Sequence, residues 1–312
     1  MRLVTYLDRK SGQPRPGALV HEAVLDLAAA YARLGQAGAA PASLLELIQA
    51  GPAAWEMARQ AIAAAQSEPG TPLEAVKLLP PIRPVSLRDA YAFEQHVRTA
   101  NENRGRAVPE EWYRFPIFYY TNPHSVIGPD DLLPYPRYTQ ALDYELEIAA
   151  VVGVEGKNLT AAQAAGHIFG FTIFNDWSAR DIQRAEMKAG LGPAKGKDFA
   201  SSLGPCIVTL DELADRAAGR PGVYDLSMTA TVNGAQRSAG NFKDIYWSFG
   251  EILARVSEEV RLYPGEVIGS GTVGTGCLLE LSKGEGPWLQ AGDVVELEIE
   301  RIGKLRNPVV QL

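Results

Sequence analysis

The sequence predicts an α+β, β-rich chain, with a small N-terminal domain over residues 1–80 and a larger domain over residues 81–312. Three observations predict it. An alanine-rich, helix-patterned beginning gives way to strand-like runs after the proline-punctuated segment SEPGTPLEAVKLLPPIRP. Residues 148–153 and 168–174 are continuously apolar, as buried strands are. Asn233-Gly234 lies between alternating residues, the signature of a hairpin with a type I′ turn.

The elements follow in order. Residues 2–7 form an opening strand, and residues 24–34 a helix. A second helical stretch covers residues 43–66, interrupted at Gly51-Pro52. Ser43, with Glu46 three residues later, has the pattern of a capping box. Residues 93–106 are polar and helix-like, and residues 246–256 read as a helix. Residues 266–271 and 277–281 read as strands around a glycine-rich turn. Residues 294–302 alternate strictly, as a half-exposed strand does.

Composition narrows the function. Hydrophobic residues make up 46% of the 312, enough for a substantial core, and the net charge is −7. No basic stripe exists to neutralise phosphates, so nucleic acid is not an expected partner. No run of 18 apolar residues exists, so no membrane span is expected. The N-terminus lacks a cationic stretch followed by an apolar core, so a cytoplasmic location is expected. Cys206 and Cys277 lie in apolar runs and read as buried thiols.

The chemistry centres on carboxylates. In Tyr144-Glu145-Leu146-Glu147, a strand would project both glutamates from one face about 7 Å apart. The string then runs into IAAVVG, apolar on both faces, so charge enters a buried strand and needs compensation. The same tripeptide at Glu296-Leu297-Glu298 lies in an alternating strand and needs none. Asp176 follows an apolar strand and reads equally as a helix N-cap or a ligand. Asp89 is unremarkable alone. Oxygen donors point to Mg²⁺, with Mn²⁺ or Ca²⁺ as alternatives. His96, by pattern alone, is a surface residue of a polar helix. His21, His124 and His167 carry weaker signals; His124 follows a proline in a loop, and His167 opens a strand as a core residue would.

The strings YELEIAAVVG, HIFGFTIFNDWSARDIQ, LGPAKGKDF and GSGT…LLELS resemble those of the fumarylacetoacetate hydrolase family. The likeness runs from about residue 85 to the end, in the family's order. It implies a β-roll-like catalytic domain, a homodimer, and a small diketo- or oxo-acid substrate. It implies Asp89, Glu145, Glu147 and Asp176 as ligands of a divalent ion. It also implies His96 paired with Glu280 to activate water, and Arg180, Gln183 and Lys197 to stabilise an alkoxide. Tyr91 and Thr272 match substrate-contacting positions, and Arg104 or Arg106 the distal carboxylate's arginine. The reaction so implied is hydrolysis of a C–C bond in a fumarylacetoacetate- or acylpyruvate-like 1,3-diketo acid. Oxaloacetate-type decarboxylation or isomerisation on the same metal site is the alternative. One departure bears on substrate: a tyrosine of the fumarylacetoacetate enzyme falls at Met187, and an extra residue precedes Leu191-Gly192-Pro193.

Overall fold

A computed structural model describes residues 1–311 except 104. Its centre is a mixed sheet whose middle strands are apolar on both faces. Leu146–Val152 pairs antiparallel with Ile168–Asn175 on one side and Val267–Gly269 on the other. Leu87–Ala90 joins parallel to Val267–Gly269, and Phe118–Thr121 closes that edge. On the other side Ser201–Thr209 pairs with Ile168–Asn175, and Arg2–Leu7 pairs with Ser201–Thr209. Pro14–Val20, Ala23–Asp26 and Thr71–Pro72 extend the sheet outward.

Side-chain alternation explains the unbroken apolar runs. Ile148, Ala150 and Val152 pack toward a second sheet, in the core that also holds Phe171, Met228, Leu297 and Leu305. Ala149 and Val151 face the opposite way, onto Leu44, Leu47, Ile48 and Ala58 of the N-terminal helices. The strand is therefore covered twice. The second sheet orders Ala235–Asn241, Ser227–Val232, Val294–Ile299, Gly303–Val310 and Leu133–Pro134. Asn233 and Gly234 have φ of 54° and 76°, as the type I′ turn between its first two strands requires.

Local differences from the sequence reading have local causes. Residues 24–26 belong to a strand, and the helix is Leu27–Arg33, because Asp26 caps it by accepting from the Ala29 N–H at 2.9 Å. Ser43 caps Leu44–Gln49, but the Glu46 carboxylate takes the Ala42 N–H at 2.7 Å instead of closing the box on Ser43. Helix Pro52–Ala65 starts at the expected break. Residues 278–281 form a helical turn, not a strand. The Asp143 carboxylate accepts the Leu278 and Leu279 N–H groups at 2.8 and 3.0 Å, which satisfies the turn's first donors. A four-residue apolar run cannot by itself distinguish the two states.

Candidate metal and proton-transfer site

The central strands deliver carboxylates to one place. Glu147 is the second residue of Leu146–Val152, where alternation puts it on the face of Ala149 and Val151, and Glu145 immediately precedes the strand. The Glu145 N–H is fixed by Asn175 Oδ1 at 2.9 Å. Asp89 pairs in register with Gly269, and its Oδ1 accepts the Gly271 N–H at 3.0 Å. Ligand oxygens of Asp89, Glu145 and Glu147 lie within 4.8 Å of one another, and all three residues are buried. Asp176 immediately follows the neighbouring strand Ile168–Asn175 and does not cap the helix Arg180–Lys188, whose N-cap is Ala179. Its Oδ2 is held by the Tyr119 hydroxyl and, at 2.8 Å, by Lys197.

Two buried cations border the cluster. Lys197 Nζ also bonds Glu145. Arg180 reaches Glu145 at 2.9 Å and Asp143 at 2.8 Å, and donates to Gln183 Oε1 at 3.1 Å. Their effect is uneven. Burial alone would raise the Glu145 pKa, but Lys197 and Arg180 pull it down to about 2. Among the described residues no cation is in contact with Asp89; burial and the Asp176 charge push it up to about 7. Burial and the charges of Asp89 and Glu145 push Glu147 well above the usual carboxylate range. These groups resist ionising together without more positive charge.

A hard divalent ion meets that need. Glu147 Oε2 and Asp176 Oδ1 are buried with no hydrogen-bond partner among the described residues. The donors are all oxygen, the set that Mg²⁺, Mn²⁺ and Ca²⁺ take. The residues present therefore fit such an ion.

His96 lies beside this cluster. It is on the helix Glu94–Glu102 yet only 5% exposed, so it is not the surface residue its helix pattern suggested. Its Nδ1 stands 3.1 Å from Glu280 Oε2, although the ring is not aligned for a hydrogen bond along that contact. Tyr91 stacks edge-on against the ring at 5.4 Å. The Thr272 hydroxyl donates to Glu147 Oε1 at 3.3 Å. Arg106 is exposed and bonds none of these groups among the described contacts, and Arg104 lies outside the described residues. His21 and His124 are exposed, and His167 is half-buried with Nδ1 3.0 Å from the Val154 carbonyl.

Sequence reasoning passed over Tyr119, Asp143 and Cys277. Asp143 immediately precedes the string YELE, and its place two residues before Glu145 in a run read as a buried strand was the available signal. Tyr119 came from a segment with no distinguishing pattern. Cys277 lies three residues from Glu280, and its Sγ is 3.8 Å from Glu280 Oε2.

Comparison with known proteins bears on the family. Residues 86–310 match the family model described as fumarylacetoacetate (FAA) hydrolase C-terminal. A human mitochondrial oxaloacetate tautomerase is 32% identical over 273 residues, covering 86% of this chain and 80% of that protein. The structure of a fumarylacetoacetate hydrolase from psychrophilic Exiguobacterium antarcticum superposes with a TM-score of 0.73 at 27% identity, covering 100% of both chains. That of a 5-carboxymethyl-2-hydroxymuconate delta-isomerase from Mycobacterium smegmatis gives 0.68 at 26% identity, also covering 100% of both. Among the described residues no helix is long and apolar enough to cross a membrane.

Proposed function

Because the chain belongs to the fumarylacetoacetate hydrolase superfamily, we propose that it is a Mg²⁺-dependent enzyme that moves a proton at the carbon between two carbonyl groups of a small 2-oxo acid. The favoured reaction is keto–enol interconversion of a 2-oxo diacid of the oxaloacetate kind. The observation that carries it is the juxtaposition of the buried carboxylates with the buried His96–Glu280 pair. The name of the human relative supports the substrate class.

Asp89, Glu145, Glu147 and Asp176 would hold the ion, which when bound would act as a Lewis acid toward negative charge developing on the 2-oxo oxygen. The remaining work falls to side chains. Glu280, with Oε2 3.1 Å from His96 Nδ1, favours imidazolium as it forms. That leaves Nε2 to take a proton from the substrate carbon and return it to oxygen, or the reverse. One proton leaves and one is delivered, so no further reactant is needed. Arg180 Nη2 is buried without a hydrogen-bond partner among the described residues, and supplies a donor for a substrate oxygen. Lys197 adds a second positive group beside Glu145. Burial keeps bulk water away and strengthens both interactions.

The same pair favours a second reading, hydrolysis of an acylpyruvate- or fumarylacetoacetate-like 1,3-diketo acid. His96 would then take a proton from water, the hydroxide would add to the distal carbonyl, and the C–C bond would break to an acid and an enolate. Decarboxylation needs no such base. The test is a Mg²⁺-containing panel of enol-oxaloacetate, acetylpyruvate and fumarylacetoacetate, followed by ultraviolet absorbance. The expected result is oxaloacetate tautomerisation that falls roughly 10²–10⁴-fold in His96→Ala, with both diketones untouched. Diketone cleavage requiring metal and His96 would replace this reading with the hydrolase one. Carbon dioxide release that survives His96→Ala would remove His96 from the chemistry.

A further inference from the structure

We infer that His96, Cys277 and Glu280 form a second metal site, one that takes Zn²⁺ and thereby switches the enzyme off. Ligand atoms of the three residues lie within 4.8 Å of one another, and all three are buried. Two of the three ligand separations are near those of tetrahedral zinc, and the third, His96 to Cys277, is within 4.8 Å. With bonds of about 2.0–2.1 Å to nitrogen or oxygen and 2.3 Å to sulfur, tetrahedral ligands stand ~3.3–3.6 Å apart. The separations here are 3.1 Å from His96 Nδ1 to Glu280 Oε2 and 3.8 Å from Cys277 Sγ to Glu280 Oε2.

A second observation points to a ligand. His96 Nδ1 and Glu280 Oε1 have no hydrogen-bond partner among the described residues, although His96 and Glu280 are 5% and 6% exposed. Buried polar atoms are ordinarily paired, and both belong to residues of this cluster.

Donor chemistry separates this site from its neighbour. The carboxylate cluster offers only hard oxygens. Here a thiol and an imidazole are added, which favour zinc over magnesium. One thiolate, one carboxylate and a neutral imidazole around Zn²⁺ sum to zero charge, which suits a buried position. Three protein ligands leave the fourth position for water or a substrate oxygen. Inhibition, as distinct from binding, rests on the proton-carrying role proposed above for His96.

The experiment uses the full chain and two probes. Co²⁺, a spectroscopic substitute for zinc, is titrated into metal-free wild type, Cys277→Ser and Cys206→Ser. A thiolate-to-cobalt charge-transfer band is expected in wild type and Cys206→Ser, and its loss in Cys277→Ser. Serine suits position 277, which is the N-cap of Leu278–Leu281 with extended backbone, so this variant is expected to fold. Thermal melting checks that. Zn²⁺ is then added to turnover assays at saturating Mg²⁺. Wild type is expected to be inhibited, and Cys277→Ser to need roughly tenfold or more zinc for the same fractional inhibition. Absence of the band would overturn the site. Equal inhibition of both proteins would overturn the switch and place zinc among the carboxylates instead. A band with turnover unaffected would leave binding intact and overturn both the inhibition and the role given to His96.

Discussion

Replacing Lys197 by methionine tests the electrostatics of the site most directly. Lys197 is 3% exposed and bonds Glu145 and Asp176, the second at 2.8 Å. Methionine keeps the length and apolar stem and removes the charge. Breaking a buried pair by deleting one partner costs about 3–5 kcal/mol, because the other charge stays buried. At roughly 2 °C per kcal/mol for a chain of this size, the metal-free variant should melt about 6–10 °C below wild type. Saturating Mg²⁺ should close most of that gap, since the ion supplies positive charge where the ammonium stood. Turnover should still fall by about 10²–10³-fold, the loss expected for a donor to developing charge. Thermal denaturation in chelator and in Mg²⁺, beside a turnover assay, reads all three. A variant melting within about 2 °C of wild type in chelator would refute the reasoning, because the carboxylates would then not depend on Lys197. A gap that Mg²⁺ leaves unchanged would refute the carboxylates as the metal site.

Three more outcomes are expected. Burial and the Asp176 charge raise the Asp89 pKa on folding, to about 7, so the metal-free fold loses stability as pH rises toward that value; the melting shift produced by Mg²⁺ should therefore grow with pH up to about 7, and Asp89→Asn should flatten that growth. Gly269→Ala should weaken Mg²⁺ binding, measured by calorimetry, without altering any carboxylate, because a Cβ there would run into Asp89 Oδ1 and the Phe174 ring. Glu147→Gln should abolish the Mg²⁺-dependent melting shift, whereas Glu298→Gln should leave it and the melting temperature unchanged.

That last contrast shows how much the sequence could say. Both ELE strings have the same residues, and the difference lay in what followed them. Alternation after Glu298 predicted a solvated face, and Glu296 and Glu298 do lie beside the exposed Lys304. The unbroken apolar run after Glu147 predicted burial on both faces, and both glutamates are buried. Strand 2–7, the Asn233-Gly234 hairpin and the helix break at Gly51-Pro52 were legible because each rests on local chemistry. What depended on distant partners was not. Residues 278–281 became helical because Asp143, more than a hundred residues earlier, caps the turn. His96 looked solvent-facing because its helix is polar, and only the docking of that helix buries it. The Tyr119 hydroxyl on Asp176 follows from strand order, which a linear pattern does not reveal.

The choice between tautomerisation and hydrolysis turns on the distal end of the pocket, not on the metal. In the mechanisms proposed above both reactions would pass through an enolate, and both would use His96 as the base. Hydrolysis asks in addition for an ordered water and for donors that hold the second carbonyl at the far end. The position that resembles the fumarylacetoacetate enzyme's tyrosine holds Met187, which has no hydroxyl and is 45% exposed on the helix Arg180–Lys188. Beyond it the chain passes through Gly190 and Gly192 with φ of 83° and 77°, and Leu191 between them is 89% exposed. Arg106 stands exposed as well. The donors that do converge, Arg180 and Lys197, lie against Glu145, close to where the 2-oxo acid end would sit. A site with its fixed positive groups at the near end and none fixed at the far end among the described residues suits a short substrate. We therefore favour a four-carbon diacid over a long diketone: it needs only the near-end groups and a proton carrier, the part proposed above for His96.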